Sequence, residues 1–445
     1  MALSRLRITG LAVLVLVGGA CRRDLSSPAA SIVLISLDTV RADHLSLYGF
    51  PRTTTPYLSE LSERCVTFER AIAQSGSTFP SHRSILTSRY SWHVGESDVR
   101  LAEALQAAGY ATAGFTGGGN VAAELGFSRG FDSWSEAKSG HRTLDAVLPA
   151  LRQWLAARVR ERPSFVFLHT YDPHHPYDPP APYDSLFMPE YSGSITGPAT
   201  GELLAKAARV PPFADFTGEV PLSAADRSKI VALYDGQLRY VDDRLREVFT
   251  LLKDSGLLDR SVVVLTSDHG EEFWEHGGVL HSHTIHQELI HVPMLICLPQ
   301  DRLGGTRVSQ VVRQIDIGPT VMDLVGVDRP NSFSGHSLRG FLEGREAALD
   351  LPGIAELNWF KAIVRPPWKL IVDQKQKRLQ LFDIEQDPFE QKDLFDGRAD
   401  VAVRLYRELA KELGAGMNEQ VGALPDGGAL DAELRAQLKA LGYLQ

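Results

Sequence analysis

The sequence has little that would bind the protein to a nucleic acid or hold it within a bilayer. Its 55 acidic side chains outnumber its 46 basic ones, which gives a net charge of -9. Because polyanion binding depends on basic side chains that displace counterions, this balance disfavours a nucleic-acid partner. Beyond the N-terminus, no apolar stretch reaches the roughly 20 residues that a membrane-spanning helix needs. We therefore expect a water-soluble body, and a small anionic substrate fits it because local charges can outweigh the net charge.

Cysteine is also scarce, with three residues in 445. Cys21 follows small residues, and before these an apolar stretch, 8–17, follows two arginines. A positive start, a short apolar run and a small-residue end are typical of an export signal, and Cys21 resembles the lipidated residue of a bacterial lipoprotein. We predict a signal peptide over 1–20, a tether over 21–30 and a lipid on Cys21. The alternative, an uncleaved anchor, has too few apolar residues to span a bilayer.

These features predict an exported protein on the periplasmic face of a bacterial membrane, with the outer membrane favoured and the lipid as its only membrane contact. Cys65 and Cys297 are the two remaining cysteines. Their spacing indicates neither a CxxC metal site nor a disulfide framework, so we expect two buried core thiols.

Apolar runs of strand length alternate with helical patterns. Continuous apolar, β-branched runs suit strands that are buried on both faces of a parallel sheet, and helices between such strands predict an α/β sheet. Three of the runs lead directly into a polar segment, where open α/β sheets place their ligands. The strong runs are 31–37, 165–168 and 262–265, the weaker ones are 110–115 and 294–298, and the helical patterns are 99–108, 144–160 and 227–255.

The pattern changes after about residue 325. Two apolar strands, 368–372 and 378–382, flank a polar connection and predict a β-hairpin, and 400–413 predicts an amphipathic helix. A chain of 445 residues exceeds the size of one core, which stops growing at about 250 to 300 residues. We therefore predict a main domain over 31–325 and a small C-terminal α+β subdomain over 326–445. The Gly- and Pro-rich segment 193–223 is expected to be a surface excursion.

One polar cluster follows the run 262–265. Asp268 and His269 are adjacent at the strand end and His281 lies twelve residues later, a set that can surround a divalent cation of intermediate softness. A polar loop with incidental histidines is the alternative, and it is the favoured interpretation for the neighbouring His283, His286 and His291.

Two further clusters carry candidate chemistry. Thr78 precedes Pro80 at the start of an apolar helical pattern, and a helix N-terminus stabilises an anion, which would suit a covalent nucleophile. A simple helix cap is the alternative. His174 and His175 lie in a proline-flanked loop after Asp172, which would hold a histidine toward the same sheet edge. A turn with incidental histidines is the alternative there.

Together, these motifs resemble the sulfatase family of the alkaline phosphatase superfamily over roughly residues 31–445. The match depends on the order of the motifs, each of which is modest alone. In chain order they are Asp38-Thr-Val-Arg-Ala-Asp43, Thr78-Phe-Pro-Ser-His82, Asp172-Pro-His174-His-Pro-Tyr, Ser267-Asp-His269-Gly-Glu, Glu288 ahead of Val292-Pro293, Gln314-Ile-Asp316, Asp383-Ile-Glu-Gln-Asp387 and Leu438-Lys-Ala-Leu-Gly-Tyr.

The resemblance implies a central mixed sheet flanked by helices, a smaller C-terminal subdomain and a metal-dependent esterase site in the domain 31–325. By position, the implied metal ligands are Asp38, Thr78, Asp268 and His269, with Thr78 as the nucleophile. His281 is implied as a ligand of a second metal or as the residue that protonates the leaving group. The implied substrate contacts are His174, with His175 as its substitute, His82 and Asn120.

This donor set favours zinc or manganese, as one or two ions, with calcium as the alternative, because imidazole is a poor ligand for a hard cation. Sulfatases carry Cys or Ser, oxidised to formylglycine, where this chain has Thr78, and oxidation of Thr would give a ketone. Thr39 replaces a usual aspartate and His281 replaces a frequent Lys. These departures resemble the Thr-type branch of phosphodiesterases, nucleotide pyrophosphatases and phosphoethanolamine transferases.

We therefore predict a hydrolase of phosphate or sulfate esters that acts through a covalent Thr78 ester and prefers phosphate. The alternatives are a sulfatase with unmodified Thr, a phosphoethanolamine-type transferase and an inactive binding protein. The last would be expected to have lost one of the four ligand positions, yet all four are present.

Overall fold

The predicted strands assemble into an eight-stranded sheet in the computed structural model, which describes residues 30–137, 142–209, 215, 217–345 and 349–414. The strand order is β10-β2-β9-β6-β1-β5-β3-β4, and only β9 runs antiparallel to its neighbours. The strands of this sheet are β1 (Ser31–Leu37), β2 (Val66–Ile72), β3 (Ala111–Thr116), β4 (Ser133–Glu136), β5 (Ser164–Thr170), β6 (Ser261–Ser267), β9 (His291–Cys297) and β10 (Arg307–Arg313).

Helices cover both faces of this sheet, and each face has its own apolar core. This arrangement confirms the predicted mixed sheet flanked by helices. The helices are α1 (Pro56–Ser62), α2 (Thr78–Thr87), α3 (Leu101–Ala107), α4 (Thr143–Ala157), α5 (Ala199–Ala208), α6 (Ala224–Asp254), α7 (Gln287–Ile290), α8 (Ile317–Val325), α9 (Arg339–Leu342) and α10 (Ala399–Leu413).

The segment 193–223, expected to be a surface excursion, includes α5, whose Leu204 is buried in the core. The signal peptide, nearly all of the tether, Cys21 and the motif at Leu438 lie outside the described residues. Among the described residues, no helix is long and apolar enough to cross a membrane.

A small antiparallel sheet follows the main sheet, and its alternating side chains explain its position. Ile354, Ile363 and Leu370 pack against α10, whereas Ala355 and Ala362 on the opposite face join the main core. The predicted hairpin is its β13–β14 pair. Its strands are β11 (Gly353–Leu357), β12 (Phe360–Arg365), β13 (Trp368–Asp373) and β14 (Arg378–Asp383), and a separate two-stranded ribbon pairs β7 (Glu272–Phe273) with β8 (Val279–Leu280).

The expectation of two free core thiols is wrong, because Cys65 and Cys297 form a disulfide. Cys65 immediately precedes β2, and Cys297 ends β9. The antiparallel register pairs Val66 with Ile296, so the two cysteines stand opposite each other with their Cα atoms 4.1 Å apart. Sequence spacing could not show this pairing, because it depends on which strand β9 adds to.

Candidate active site

The site lies at the carboxyl edge of the main sheet, where β1 and β6 run parallel. The register pairs Leu37 with Ser267, so the residues that follow them, Asp38 and Asp268, are neighbours. The backbone N–H of Asp268 donates to the carbonyl of Leu37 at 3.0 Å. Both carboxylates are fully buried, and the sheet therefore holds two acidic side chains together without water.

Asp38, Asp268 and His269 form a group whose ligand atoms lie within 4.8 Å of one another. Burial works to raise the pKa of Asp38, but the imidazoles of His169 and His174 hold it below its usual range. Burial and the charge of Asp38 raise the pKa of Asp268 well above its usual value. One oxygen of each carboxylate is buried without a hydrogen-bond partner. Two unsatisfied buried acids beside an imidazole fit a divalent cation, which would neutralise their mutual repulsion.

Thr78 begins α2 directly above this group. Its Oγ1 donates to Oδ2 of Asp38 at 3.3 Å and lies 3.2 Å from Nε2 of His269. The N-cap of α2 is Ser77, so Thr78 is the first helical residue and not the simple cap considered as its alternative. Its hydroxyl therefore faces the group that could bind a metal ion.

His82 supports the Thr78 turn from within the core. Its Nδ1 lies 2.9 Å from the carbonyl of Thr78 and its Nε2 lies 3.0 Å from Oγ of Ser36. Burial, with the nearby His169, lowers the pKa of His82 to about 3, so the ring is neutral. The side chain of His82 is fully buried and both of its ring nitrogens contact the protein, so this predicted substrate contact lies in the core beneath Thr78.

His174 and His175 come from the proline-flanked loop that follows β5. The ring of His174 lies 5.0 Å from that of His281, and that of His175 lies 6.3 Å away. Nδ1 of His174 contacts the carbonyl of His175 at 2.7 Å, which fixes the orientation of the His174 ring. Burial and the adjacent His174 lower the pKa of His175 to about 3. The loop thus brings His174 to the predicted site, with His175 behind it.

His281 returns to the site on the segment after β8. Its ring lies 4.6 Å from that of His269, and its Nδ1 lies 2.8 Å from Oε1 of Glu271. The other carboxylate oxygen of Glu271 accepts a hydrogen bond from the Tyr177 hydroxyl at 2.8 Å. Burial and the neighbouring His269 lower the pKa of His281 well below its ordinary value. The ring is therefore a neutral imidazole next to His269 of the candidate metal-binding group.

Asn120 lies at the exposed rim of the site. Its backbone N–H donates to the hydroxyl of Tyr171 at 2.7 Å, and the Tyr171 ring packs 5.8 Å from that of His174. Asn120 is thus linked to His174 through Tyr171 and does not contact the histidines of the site directly. Thr39, the replacement for an aspartate, is buried beside Asp268, and its N–H donates to that carboxylate at 3.2 Å.

Sequence reasoning missed His169 and Glu271. Nε2 of His169 is buried 3.8 Å from Oδ2 of Asp38 and has no hydrogen-bond partner. The position of His169 near the end of β5 could have indicated its role, because β5 lies beside β1 and the register pairs Ser36 with His169. Glu271 is two residues beyond a predicted ligand, and the antiparallel β7–β8 register, which pairs Glu272 with Leu280, places it opposite His281.

The histidines interpreted as incidental include part of a second cluster, formed by His276, His286 and Glu288. Nδ1 of His276 lies 2.7 Å from Glu288 and Nε2 lies 3.2 Å from the carbonyl of Glu390. The two histidine rings stack in parallel with centroids 3.6 Å apart, so their in-plane lone pairs do not converge on one ion. Through His276, which lies between β7 and β8, this cluster contacts the C-terminal segment near Glu390.

Known proteins share this architecture and several of its motifs. Arylsulfatase K of Xenopus laevis is 31% identical over 186 residues, which cover 38% of this chain and 34% of that protein. The chain therefore spans about a third of the length of this relative. N-acetylglucosamine-6-O-sulfatase of Bacteroides thetaiotaomicron is 22% identical over 478 residues, covering 84% of this chain and 83% of that protein.

The phosphonate monoester hydrolase of Agrobacterium radiobacter has a similar fold, with a TM-score of 0.70 at 21% identity over 87% of this chain and 96% of that one. Residues 275–419 match the family described as N-sulphoglucosamine sulphohydrolase, C-terminal. The sulfatase family itself matches residues 30–327, a range that carries every motif of the site from Asp38 to His281. Because that range is well over half of the chain, this protein belongs to the sulfatase family.

Proposed function

We propose that this protein is a metal-dependent ester hydrolase that attacks phosphorus or sulfur with Thr78 and prefers phosphate esters. The observation that carries the proposal is the position of the Thr78 hydroxyl, 3.3 Å from Asp38 and 3.2 Å from His269. A hydroxyl within reach of the ligand atoms of a metal group is where a covalent nucleophile is needed.

Asp38, Asp268, His269 and Thr78 would hold the cation, and zinc or manganese suits this mixed oxygen and nitrogen set better than calcium. When bound, such an ion lowers the pKa of the alcohol and stabilises charge on the transferred group. Thr78 then attacks in line with the leaving oxygen. His174 stabilises the non-bridging oxygens, and His281 serves the leaving group or the incoming water. A second ion on His281 is the alternative role of that residue.

The preference for phosphate follows from the side chain of Thr78. Formylglycine releases sulfate by elimination from an aldehyde hydrate, and a threonine ester has no such exit. Water must therefore attack the central atom of the Thr78 ester, a step for which the phosphoryl group is the better substrate at a metal site. A phosphonate monoester hydrolase among the similar structures supports this, and the sulfatase relatives support the rival, sulfate-ester hydrolysis by unmodified Thr78.

The test compares kcat/KM for p-nitrophenyl phosphate, bis(p-nitrophenyl) phosphate and p-nitrophenyl sulfate, with Thr78→Ala as the background. We expect at least tenfold higher kcat/KM for a phosphate ester, and a loss of about 10³-fold or more in Thr78→Ala. A sulfate preference that Thr78→Ala abolishes would establish the rival. Faster turnover when glycerol or ethanolamine is added as acceptor would favour the transferase, and no turnover of any ester would favour the binding protein.

We further propose that the protein is an exported lipoprotein anchored through Cys21. The signal-like N-terminal segment motivates this proposal. The Cys65–Cys297 disulfide supports it, because disulfides persist in oxidising compartments such as the periplasm. Metabolic labelling with a fatty acid should mark the wild type and leave Cys21→Ser unlabelled. Equal labelling of both proteins would exclude lipid attachment at this residue.

A further inference from the structure

The carboxylate of Glu271 is fully buried and has two side-chain partners. Oε2 accepts from the Tyr177 hydroxyl and Oε1 lies 2.8 Å from Nδ1 of His281. Tyr177 is itself fully buried, so its hydroxyl has a fixed position. Arg41 donates to the backbone carbonyl of Glu271 at 3.0 Å, which holds the segment that carries this acid. The three side chains form a hydrogen-bonded chain from Tyr177 through Glu271 to His281, whose ring lies at the candidate site.

These hydrogen bonds determine which ring nitrogen of His281 carries a proton and which one is free to accept a proton. Oε2 of Glu271 accepts from Tyr177, so with Oε1 as the acceptor that faces His281, Nδ1 of that ring carries the proton of the contact. Nε2 then holds a lone pair, and among the described residues it has no hydrogen-bond partner in the protein. The centroid of the His281 ring lies 4.6 Å from that of His269 and 5.0 Å from that of His174. Thr78 contacts the same His269 ring.

We propose that Glu271 and Tyr177 are positioning residues that fix His281 so that its Nε2 takes the proton from the water that hydrolyses the Thr78 ester. This inference rests on the proposed covalent Thr78 intermediate. A histidine whose second nitrogen is held by a carboxylate is fixed in one ring orientation and one tautomer, as in other histidine–carboxylate pairs.

A bond forms between the water oxygen and phosphorus while one water proton moves to Nε2 of His281. The bond between phosphorus and Oγ1 of Thr78 breaks, and its electron pair returns to Oγ1. Inorganic phosphate leaves, and the proton on Nε2 passes to the leaving oxygen of the next ester or to solvent. No oxidant or co-reactant other than water is required.

The experiment compares Glu271→Gln with Glu272→Gln, a control that makes the same change at the next, equally buried residue. Glu272 contacts His283, whose side chain lies outside the site. With p-nitrophenyl phosphate, we expect Glu271→Gln to lower kcat about 10²-fold and to lower KM in similar proportion, so that kcat/KM changes less than about threefold. The covalent phosphoryl group should accumulate on Thr78 after acid quench, as detected by peptide mass, whereas Glu272→Gln should match the wild type.

Tyr177→Phe provides a milder variant if Glu271→Gln fails to fold, and it should shift kcat and KM in the same direction by about three- to tenfold. A fall in kcat/KM without accumulation of the Thr78 adduct would overturn the inference, as would loss of bound metal from Glu271→Gln, which would make His281 a ligand. Absence of a Thr78 adduct from every protein, together with activity in Thr78→Ala, would instead overturn the proposed function and the inference with it.

Discussion

At the scale of single residues, the site depends on a few side chains that the fold buries away from solvent. Asp38, Asp268 and His269 have no solvent exposure, so each must find its partner within the protein or in a bound cation. The imidazoles of His82 and His169 lie beside the carboxylates, and their rings pack edge to face at 4.7 Å. A bound cation would offset the negative charge of this cluster.

The metal prediction concerns His269. His269→Ala should lose metal and activity together, because the variant removes one of three clustered ligands. Loss of a ligand or its support costs about 10- to 100-fold in metal affinity or more. Metal analysis after dialysis, paired with an ester assay, measures both effects. His283→Ala is the matched control, because that side chain is partly exposed and contacts Glu272.

After chelation, zinc or manganese should restore activity to the wild type. Full recovery with calcium alone would contradict the predicted preference for a metal that binds imidazole. A His269→Ala protein that keeps its metal would show that this residue is not a ligand.

At the scale of elements, the N-terminus of α1 is held by a carboxylate from α6. Asp242 in α6 accepts hydrogen bonds from the N–H groups of Tyr57 and Leu58, at 2.7 and 2.8 Å, at the start of α1. These groups lack partners inside their own helix. Thr55, at the N-cap position, makes no side-chain cap, so Asp242 takes over that role from outside the helix.

This contact predicts a pH dependence of stability. Burial raises the pKa of Asp242 from 3.8 to about 6, so between these values the folded protein holds a proton that the unfolded chain releases. The contribution of Asp242 to stability therefore falls as pH rises from about 4 to 6 and is constant above that range. The change is on the order of 3 kcal/mol.

Denaturant unfolding of wild type and Asp242→Asn between pH 4 and 7 measures this effect, because the variant lacks the titrating group. The difference between the two free energies of unfolding should change across pH 4 to 6 and level off above pH 6. A difference that is independent of pH would contradict the prediction.

At the scale of the whole molecule, the disulfide joins segments that lie far apart in the chain. Cys65 and Cys297 are separated by 232 residues, and the bond ties β2 to β9 within the main sheet. The closed loop includes Thr78, the loop that carries His174 and all of the proposed metal ligands except Asp38. The crosslink thus limits the unfolded chain more than a short loop would.

Paired replacement of Cys65→Ser and Cys297→Ser should lower the free energy of unfolding by about 2 to 5 kcal/mol. Thermal melts of the native, reduced and doubly substituted proteins measure the effect. Alkylation under non-reducing, denaturing conditions provides the control, since the native protein should show neither of these thiols. An unchanged melting temperature after complete reduction would contradict a stabilising role.

The amino-acid sequence by itself determined the local elements and the positions of several candidate site residues. The run 31–37 became β1 because a continuous apolar segment can only be buried on both faces, and Asp38 then had to stand at its carboxyl end. Asp268 and Thr78 were predictable for the same reason, since strand ends and helix starts are set by nearby residues. Known motif order supplied the roles of His174 and His281.

Only the tertiary structure decided the contacts between distant segments. The antiparallel insertion of β9 between β2 and β6 placed Cys65 opposite Cys297, and spacing along the chain carries no sign of that. The contact of Tyr177 with Glu271 likewise joins two segments that lie 94 positions apart in the chain. Periodicity reports which face of an element is buried, whereas a side chain's partner across the fold depends on sheet order and register, which are settled when the whole core packs.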